Sequence, residues 1–204
     1  DFDGTLYLSN EIKKQAFYLT VLKYEQAEII INKILLENPF LNRYAFFELF
    51  TKMYKNNFPK SPPIDPEYLS EYYTKICFSK ITQVAKPRKG MHELLEYLLN
   101  KRINCYLISA TPVAELKNII SKLKLDKFFK CILGAPDRKE DLIQGIIDKE
   151  NISKNNFFYV GDSFNDYEAS KIVGCHFIPI SDNEDFKKVN MNVFNNLFDL
   201  INIF

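Results

Sequence analysis

The sequence predicts an α/β protein in which a parallel sheet carries helices on both faces and a second, all-helical domain is inserted. Two observations support this prediction. From residue 86 onward, short apolar segments alternate with amphipathic segments, a pattern typical of buried parallel strands and their crossover helices. From residue 10 to about residue 80, apolar residues recur at three- and four-residue spacing, which indicates consecutive helices.

The helical region, 10–85, divides into several segments. Breaks are predicted at Asn38-Pro39 and in the proline-rich stretch 58–66. Asn42 is predicted to cap the helix after the first break, because an Asn side chain accepts a hydrogen bond from a free amide at a helix start. Asp65 and Pro66 predict a second helix start, in which Asp caps the helix and proline suits its first turn.

In the α/β region the predicted elements follow one another in regular order. Helices are expected near 91–101, 112–123, 139–149 and 166–173, the last closed by Gly174, and strands at 104–108, 131–133, 157–160 and 175–180. An open parallel sheet binds its ligands at the carboxyl ends of the strands. Polar residues that directly follow a predicted strand are therefore candidates for a functional site.

Composition limits the partners and metals to be expected. The 204 residues include 27 basic and 26 acidic side chains, mixed along the chain, so no broad basic surface for nucleic acid is predicted. No apolar run approaches the roughly 20 residues of a membrane-spanning helix, and no signal-peptide pattern is present. The four cysteines are widely separated, which favours reduced thiols over zinc ligands. We expect a cytoplasmic protein that binds neither nucleic acid nor a membrane.

Two acidic motifs are the strongest chemical signal. The chain begins Asp1-Phe2-Asp3-Gly4-Thr5, and Asp162 and Asp166 lie in the segment Gly-Asp-Ser-Phe-Asn-Asp directly after a predicted strand. Carboxylates four residues apart on a loop that enters a helix can turn toward one oxygen-ligated cation. Taken singly, the first motif also fits an ordinary turn or a calcium loop, and the second fits a plain helix start.

Two further candidates could contact a phosphate. Ser109 and the amide of Ala110 follow the strand at 104–108 and precede a predicted helix, where free amides attract anions. Lys139, next to Arg138 at a predicted helix start, opposes the helix dipole and could neutralise a phosphate. The alternatives are an ordinary helix cap at Ser109 and a solvated pair of charges at Arg138 and Lys139.

Together, D-x-D-G-T, a Ser that ends a strand, a later Lys and G-D-S-x-N-D occur in the order found in the haloacid dehalogenase-like (HAD) hydrolase superfamily, which the sequence resembles over nearly its whole length. The match is to the branch with a helical cap that includes phosphoglycolate phosphatases and β-phosphoglucomutases. The resemblance implies a Rossmann-like catalytic core of 1–9 and 86–204 and a helical cap domain of 10–85. Such a core places an apolar strand before Asp1, so we expect further residues upstream of the sequence.

The resemblance also implies roles for individual residues. Asp1 would be the nucleophile that forms an aspartyl-phosphate, and Asp3 the general acid and base. Mg²⁺ would be held by the Asp1 carboxylate, the Asp3 main-chain carbonyl and Asp162. Asp166 would either contact these ligands or reach the metal through a water molecule. Ser109, Ala110 and Lys139 would bind the phosphate. Arg43, beside the Asn42 cap, is a candidate for contact with an anionic or sugar substituent of the substrate.

Three functions stay open from the sequence. A phosphatase acting on a small-molecule phosphomonoester is favoured. A phosphomutase of the β-phosphoglucomutase kind uses the same four motifs, and a protein that binds phosphate without catalysis is the third possibility. Cleavage of a carbon-halogen bond is disfavoured because a departing halide needs no proton, and Asp3 would be superfluous.

Overall fold

The computed structural model describes residues 1–38, 41–181, 186 and 191–204. The chain forms two compact units. The α/β unit consists of Asp1–Ser9 and Ala85–Phe204, and the helical unit consists of Asn10–Val84. In the described part of the chain, no helix combines the length and the apolar character needed to cross a membrane.

Within the described residues 10–38 and 41–84, the helical unit contains four helices: α1 Asn10–Val21, α2 Ala27–Glu37, α3 Arg43–Asn57 and α4 Pro66–Gln83. Both predicted caps are confirmed, since Asn42 accepts a hydrogen bond from the amide of Ala45 and Asp65 accepts one from the amide of Glu67. The second half of the predicted Asn38-Pro39 break lies outside the described residues.

Aromatic side chains form much of the core of the helical unit. The ring centroid of Phe17 lies 4.1 Å from that of Phe46 and 4.5 Å from that of Tyr73. Phe47 and Phe50 are fully buried. These rings stabilise the unit by removing a large apolar area from water.

Among the described residues, the α/β unit contains four strands in two separate parallel pairs: β1 Tyr106–Pro112, β2 Cys131–Ala135, β3 Phe158–Gly161 and β4 His176–Pro179. Its helices are α5 Met91–Asn100, α6 Val113–Lys122, α7 Lys139–Glu150 and α8 Phe164–Val173, with short 3-10 helices at Asp126–Phe128, Lys154–Asn156 and Phe198–Asn202. β1 pairs with β2, and β3 pairs with β4. The predicted α/β class with parallel strands is confirmed.

The first residues of the chain contact both strand pairs. The main-chain nitrogen of Asp1 donates to the carbonyl of Val160 in β3 at 2.9 Å, and the Asp3 carboxylate accepts from the Thr111 hydroxyl in β1 at 2.9 Å. Between them, Phe2 is fully buried. The opening acidic motif is therefore held at the carboxyl ends of β1 and β3.

A hydrophobic layer beneath these strand ends fixes the helices that carry the other polar residues. Ile108 of β1 and Tyr159 of β3 pack against Ile143 and Ile147 of α7 and Val173 of α8. All five side chains are buried. This packing sets the positions of the first turns of α7 and α8, where Lys139 and Asp166 lie.

Candidate active site

Three carboxylates from distant parts of the sequence meet in the α/β unit. One oxygen from each of Asp1, Asp162 and Asp166 lies within 4.8 Å of the other two. The Asp1 side chain is 7% exposed and the Asp166 side chain is fully buried. Three negative charges this close repel one another strongly in a partly dry site, so the arrangement requires a compensating cation.

Lys139 supplies part of that positive charge. Its Nζ lies 2.6 Å from Oδ1 of Asp166 and 3.3 Å from Oδ1 of Asp1, and its side chain is 12% exposed. The neighbouring Arg138 is different, because its side chain is 70% exposed and pairs with Asp141 and Glu140 on the surface of α7. The unfavourable position of Lys139 at a helix start is thus compensated by two buried acids.

Asp166 accepts hydrogen bonds on both of its oxygens. Oδ1 accepts from Lys139 Nζ and from the Tyr159 hydroxyl, and Oδ2 accepts from the amide and hydroxyl of Ser163. The Ser163 hydroxyl in turn accepts from the Asp166 amide, which completes a capping box at the start of α8. Burial alone would raise the pKa of Asp166, but the charge of Lys139 and the hydrogen bonds from Lys139 and Ser163 help to lower that pKa below its ordinary value.

Asp3 has hydrogen-bond partners of its own. Its Oδ1 accepts from the Ser9 hydroxyl at 2.6 Å and its Oδ2 from the Thr111 hydroxyl at 2.9 Å. Ser9 and Thr111 are both buried. Thr5 connects the two acidic motifs by donating to Oδ1 of Asp162 at 3.3 Å. The two carboxylates of the opening motif thus have different partners, as two different chemical tasks would require.

An irregularity in β1 brings Thr111 to Asp3. The pairing of β1 with β2 shifts register between Ser109 and Pro112, and such irregularities redirect side chains. Ser109 is buried and its hydroxyl accepts from the amide of Thr111, whereas Ala110 is exposed. Helix α6 begins at Val113, so the predicted phosphate-binding pair lies in the strand end that precedes this helix.

Arg43 has partners inside the helical unit. Its Nη1 donates to the Thr74 hydroxyl at 2.6 Å, and its guanidinium lies over the rings of Tyr44 and Tyr73. These contacts hold the guanidinium against the surface formed by α3 and α4. A contact between Arg43 and substrate stays a prediction.

Several residues that shape the site were not singled out in the sequence. Tyr159, Ser163 and Ser9 contact the candidate carboxylates. The buried Arg88 donates from Nε and Nη2 to the carbonyl of Gly4 and from Nη1 to the carbonyl of Asn195. The Ser163-x-x-Asp166 spacing is the one signal that could have revealed a contact, because it matches a capping box. The other contacts depend on the path that the folded chain takes.

The donor set fits a divalent cation such as Mg²⁺. Hard cations prefer carboxylate oxygens, and three carboxylates converge here. Oδ1 of Asp1 is buried and, among the described residues, has no hydrogen-bond partner. Asp166 already accepts from four donors, so Asp1 and Asp162 are the better candidates for direct ligands. The predicted participation of the Asp3 main-chain carbonyl stays a prediction.

Gly161 is required by the close approach of Asp166. A Cβ atom at residue 161 would lie 2.4 Å from Cβ and 2.5 Å from Cγ of Asp166, whereas a Cβ at Gly145 in α7 would meet nothing within 4 Å. We expect Gly161→Ala to displace the Asp166 carboxylate and to lower the free energy of unfolding by about 1–3 kcal/mol. Gly145→Ala is the matched control and should be neutral or stabilising. Chemical denaturation measures both, and equal stability of the two variants would contradict the contact.

A family model described as haloacid dehalogenase-like hydrolase matches residues 1–180. The chain belongs to the haloacid dehalogenase-like hydrolase family. The resemblance inferred from the four motifs is confirmed.

Relatives of known name are distant. A phosphoglycolate phosphatase of Pseudomonas savastanoi pv. phaseolicola is 26% identical over 97 residues, which cover 45% of this chain and 36% of the relative. The match therefore spans about a third of that enzyme. The pyrophosphatase PpaX of Listeria welshimeri is 22% identical over 176 residues, 84% of this chain and 76% of the relative.

Solved structures share the whole fold. A protein of Haemophilus somnus 129PT described as a predicted phosphoglycolate phosphatase superposes with a TM-score of 0.78 at 16% identity, covering 100% of this chain and 95% of that one. A Thermotoga maritima protein provisionally named a β-phosphoglucomutase gives a TM-score of 0.75 at 16% identity, with the same coverage. At this level of identity, the likeness shows the fold alone.

Proposed function

We propose that the chain is a Mg²⁺-dependent phosphatase that hydrolyses a small-molecule phosphomonoester through an aspartyl-phosphate formed on Asp1. The observation that carries the proposal is the position of Lys139 Nζ, 3.3 Å from Asp1 and 2.6 Å from Asp166. A carboxylate can attack an anionic phosphate only if their repulsion is removed, and an ammonium group beside the nucleophile does this.

In the first step, an oxygen of Asp1 would attack phosphorus and form a new P–O bond while the ester P–O bond breaks. The departing alkoxide takes a proton from Asp3 and leaves as an alcohol. The Ser9 and Thr111 hydroxyls hold one oxygen each of the Asp3 carboxylate, which limits the directions in which this proton can be delivered.

In the second step, Asp3 would accept a proton from a water molecule that attacks the aspartyl-phosphate. The P–O bond to Asp1 breaks, inorganic phosphate leaves, and both carboxylates return to their starting states. Lys139, Ser109 and the amide of Ala110 would bind the phosphate oxygens throughout. Mg²⁺, held by Asp1, Asp162 and the Asp3 carbonyl, would supply further charge neutralisation.

The assignment of domains forms part of this proposal. The α/β unit would be the catalytic core, and the helical unit would be the cap that selects the substrate, with Arg43 as its candidate contact. The names of the distant relatives, phosphoglycolate phosphatase, phosphorylated carbohydrates phosphatase and pyrophosphatase, support a small phosphorylated substrate. The cytoplasmic location stays a prediction.

The test is a screen with product analysis. The purified protein is incubated with p-nitrophenyl phosphate, sugar phosphates, phosphoglycolate and nucleotides, with and without Mg²⁺. We expect inorganic phosphate to be released, EDTA to stop its release, and excess Mg²⁺ to restore it. An isomerised sugar phosphate without free phosphate would instead identify a phosphomutase. Activity that survives EDTA would contradict the proposed metal, and no turnover of any substrate would favour a phosphate-binding protein without catalysis.

A further inference from the structure

Tyr159 carries a buried hydroxyl at the centre of the polar network. The residue lies in β3 and is 4% exposed. Its hydroxyl donates to Oδ1 of Asp166 at 2.9 Å and lies 3.5 Å from the carbonyl of Ile108 in β1. Because a hydroxyl has one proton, the nearer and charged acceptor receives it.

The same carboxylate oxygen is shared with the site lysine. Oδ1 of Asp166 accepts from both Tyr159 and Lys139 Nζ, and Lys139 Nζ also lies 3.3 Å from Asp1. The torsion that orients a carboxylate is broad and soft, so its plane is fixed only by hydrogen bonds. Ser163 holds Oδ2, and Tyr159 is the fixed donor on Oδ1, since a lysine ammonium ends a flexible stem.

We propose that Tyr159 is a positioning residue, whose hydroxyl orients the Asp166 carboxylate and thereby keeps Lys139 within reach of Asp1. The inference rests on the proposed function, because it assigns Tyr159 a part in the same reaction. Tyr159 acts through two intervening side chains. Without the Tyr159 hydroxyl, Lys139 would be the remaining one of these two donors to Asp166 Oδ1. The ammonium group would then move toward Asp166 and away from Asp1.

A hydroxyl at this position needs an explanation beyond packing. Tyr159 belongs to the hydrophobic layer formed with Ile108, Ile143 and Ile147, where a phenylalanine ring would fill nearly the same space. Burying a hydroxyl among such side chains is unfavourable unless it forms a hydrogen bond. The hydrogen bond to Asp166 offsets that cost, and it connects the hydrophobic layer to the charged site.

The test is the variant Tyr159→Phe, which removes one hydroxyl and keeps the ring. We expect kcat for p-nitrophenyl phosphate to fall about tenfold, with little change in KM, because a hydrogen bond to a charged group is lost. Tyr106→Phe is the matched control. Tyr106 is the first residue of β1, whereas Thr111 lies near the other end of this strand. The control should retain wild-type kcat. Unchanged kcat in Tyr159→Phe would overturn the proposal.

A double-mutant cycle separates positioning from a general structural role. In a Lys139→Met background, Tyr159→Phe should change kcat by less than about twofold, because the lysine through which it acts is absent. An equal fall in both backgrounds would overturn the proposal. Asp166→Asn provides a second background with the same expectation, should Lys139→Met fold poorly.

The cycle also distinguishes this inference from the proposed function. If the wild-type protein hydrolyses no phosphate ester, the proposed function fails, and the cycle is then measured by thermal unfolding. A non-additive effect of Tyr159→Phe and Lys139→Met on the unfolding temperature supports the coupling through Asp166, and additive effects overturn it.

Discussion

Asp1→Asn is expected to abolish phosphate release while the protein stays folded. The amide that replaces the carboxylate is a poor nucleophile and carries no charge, so no aspartyl-phosphate can form. We expect kcat to fall by at least about 10³-fold, the scale seen when a nucleophile is removed. The assay is release of inorganic phosphate from p-nitrophenyl phosphate in the presence of Mg²⁺.

The stability of Asp1→Asn provides the control for this result. Asp1 lies within 4.8 Å of two other carboxylates, and its Oδ1 has no hydrogen-bond partner among the described residues. Removing its charge relieves this repulsion but also removes the ion pair with Lys139, which keeps its partner Asp166. These two effects oppose each other, so without Mg²⁺ the unfolding temperature should change little. Asp126→Asn, at an exposed position, should retain full activity. Wild-type turnover by Asp1→Asn would contradict the assignment of the nucleophile.

Lys139→Met is expected to impair both catalysis and stability. The variant keeps an apolar stem but removes the ammonium that contacts Asp1 and Asp166, so kcat should fall about 10²–10³-fold, as when one group that stabilises the transition-state charge is lost. It also leaves the fully buried Asp166 without its cation. Losing one partner of a buried ion pair costs about 3–5 kcal/mol.

The pH dependence of this loss follows from the pKa of Asp166. In the wild type that pKa is lowered by Lys139, so the pair contributes stability that is present above the ordinary pKa of Asp and is lost as the pH falls through the lowered value. The stability difference between wild type and Lys139→Met should therefore be largest near neutral pH and shrink in acid. Denaturant unfolding at several pH values measures it.

Arg138→Met is the matched control for Lys139→Met. Arg138 precedes Lys139, but its side chain is 70% exposed. Its ion pairs within the described residues are with Glu140 and Asp141 of α7. Exposed ion pairs contribute little to stability, so this variant should retain activity and stability. Similar losses in the two variants would contradict a specific role for Lys139.

The local features of the fold followed from short-range chemistry. Asn42 and Asp65 were identified as caps because a side chain that satisfies a free amide acts within three residues. Gly174 was expected to close α8, and it does so in the left-handed conformation that glycine adopts without strain. The ends of the predicted strands lie within two residues of the observed ones, except at β1, which continues four residues further to Pro112.

The extension of β1 to Pro112 could not be predicted from the local sequence pattern. Residues 109–111 were predicted to lie between the strand and a helix that begins at Pro112, with a helix cap at Ser109 as the alternative interpretation. In the structure, Thr111 stays in the strand across a register shift, and its carbonyl lies so close to Gly134 that a Cβ there would be 2.3 Å away. The partner strand decided this conformation, and with it the contact between Thr111 and Asp3.

The sequence by itself determined the chemistry available to this protein: its acidic motifs, the lysine at a helix start, the order of helices and strands, and the family. Only the tertiary structure decided which of these groups meet. It paired Lys139 with Asp1 and Asp166, left Arg138 on the surface, and placed the Tyr159 hydroxyl on Asp166. The physical reason is that each of these contacts joins residues from separate segments of the chain. The distance between two such residues depends on how the hydrophobic layer packs beneath them.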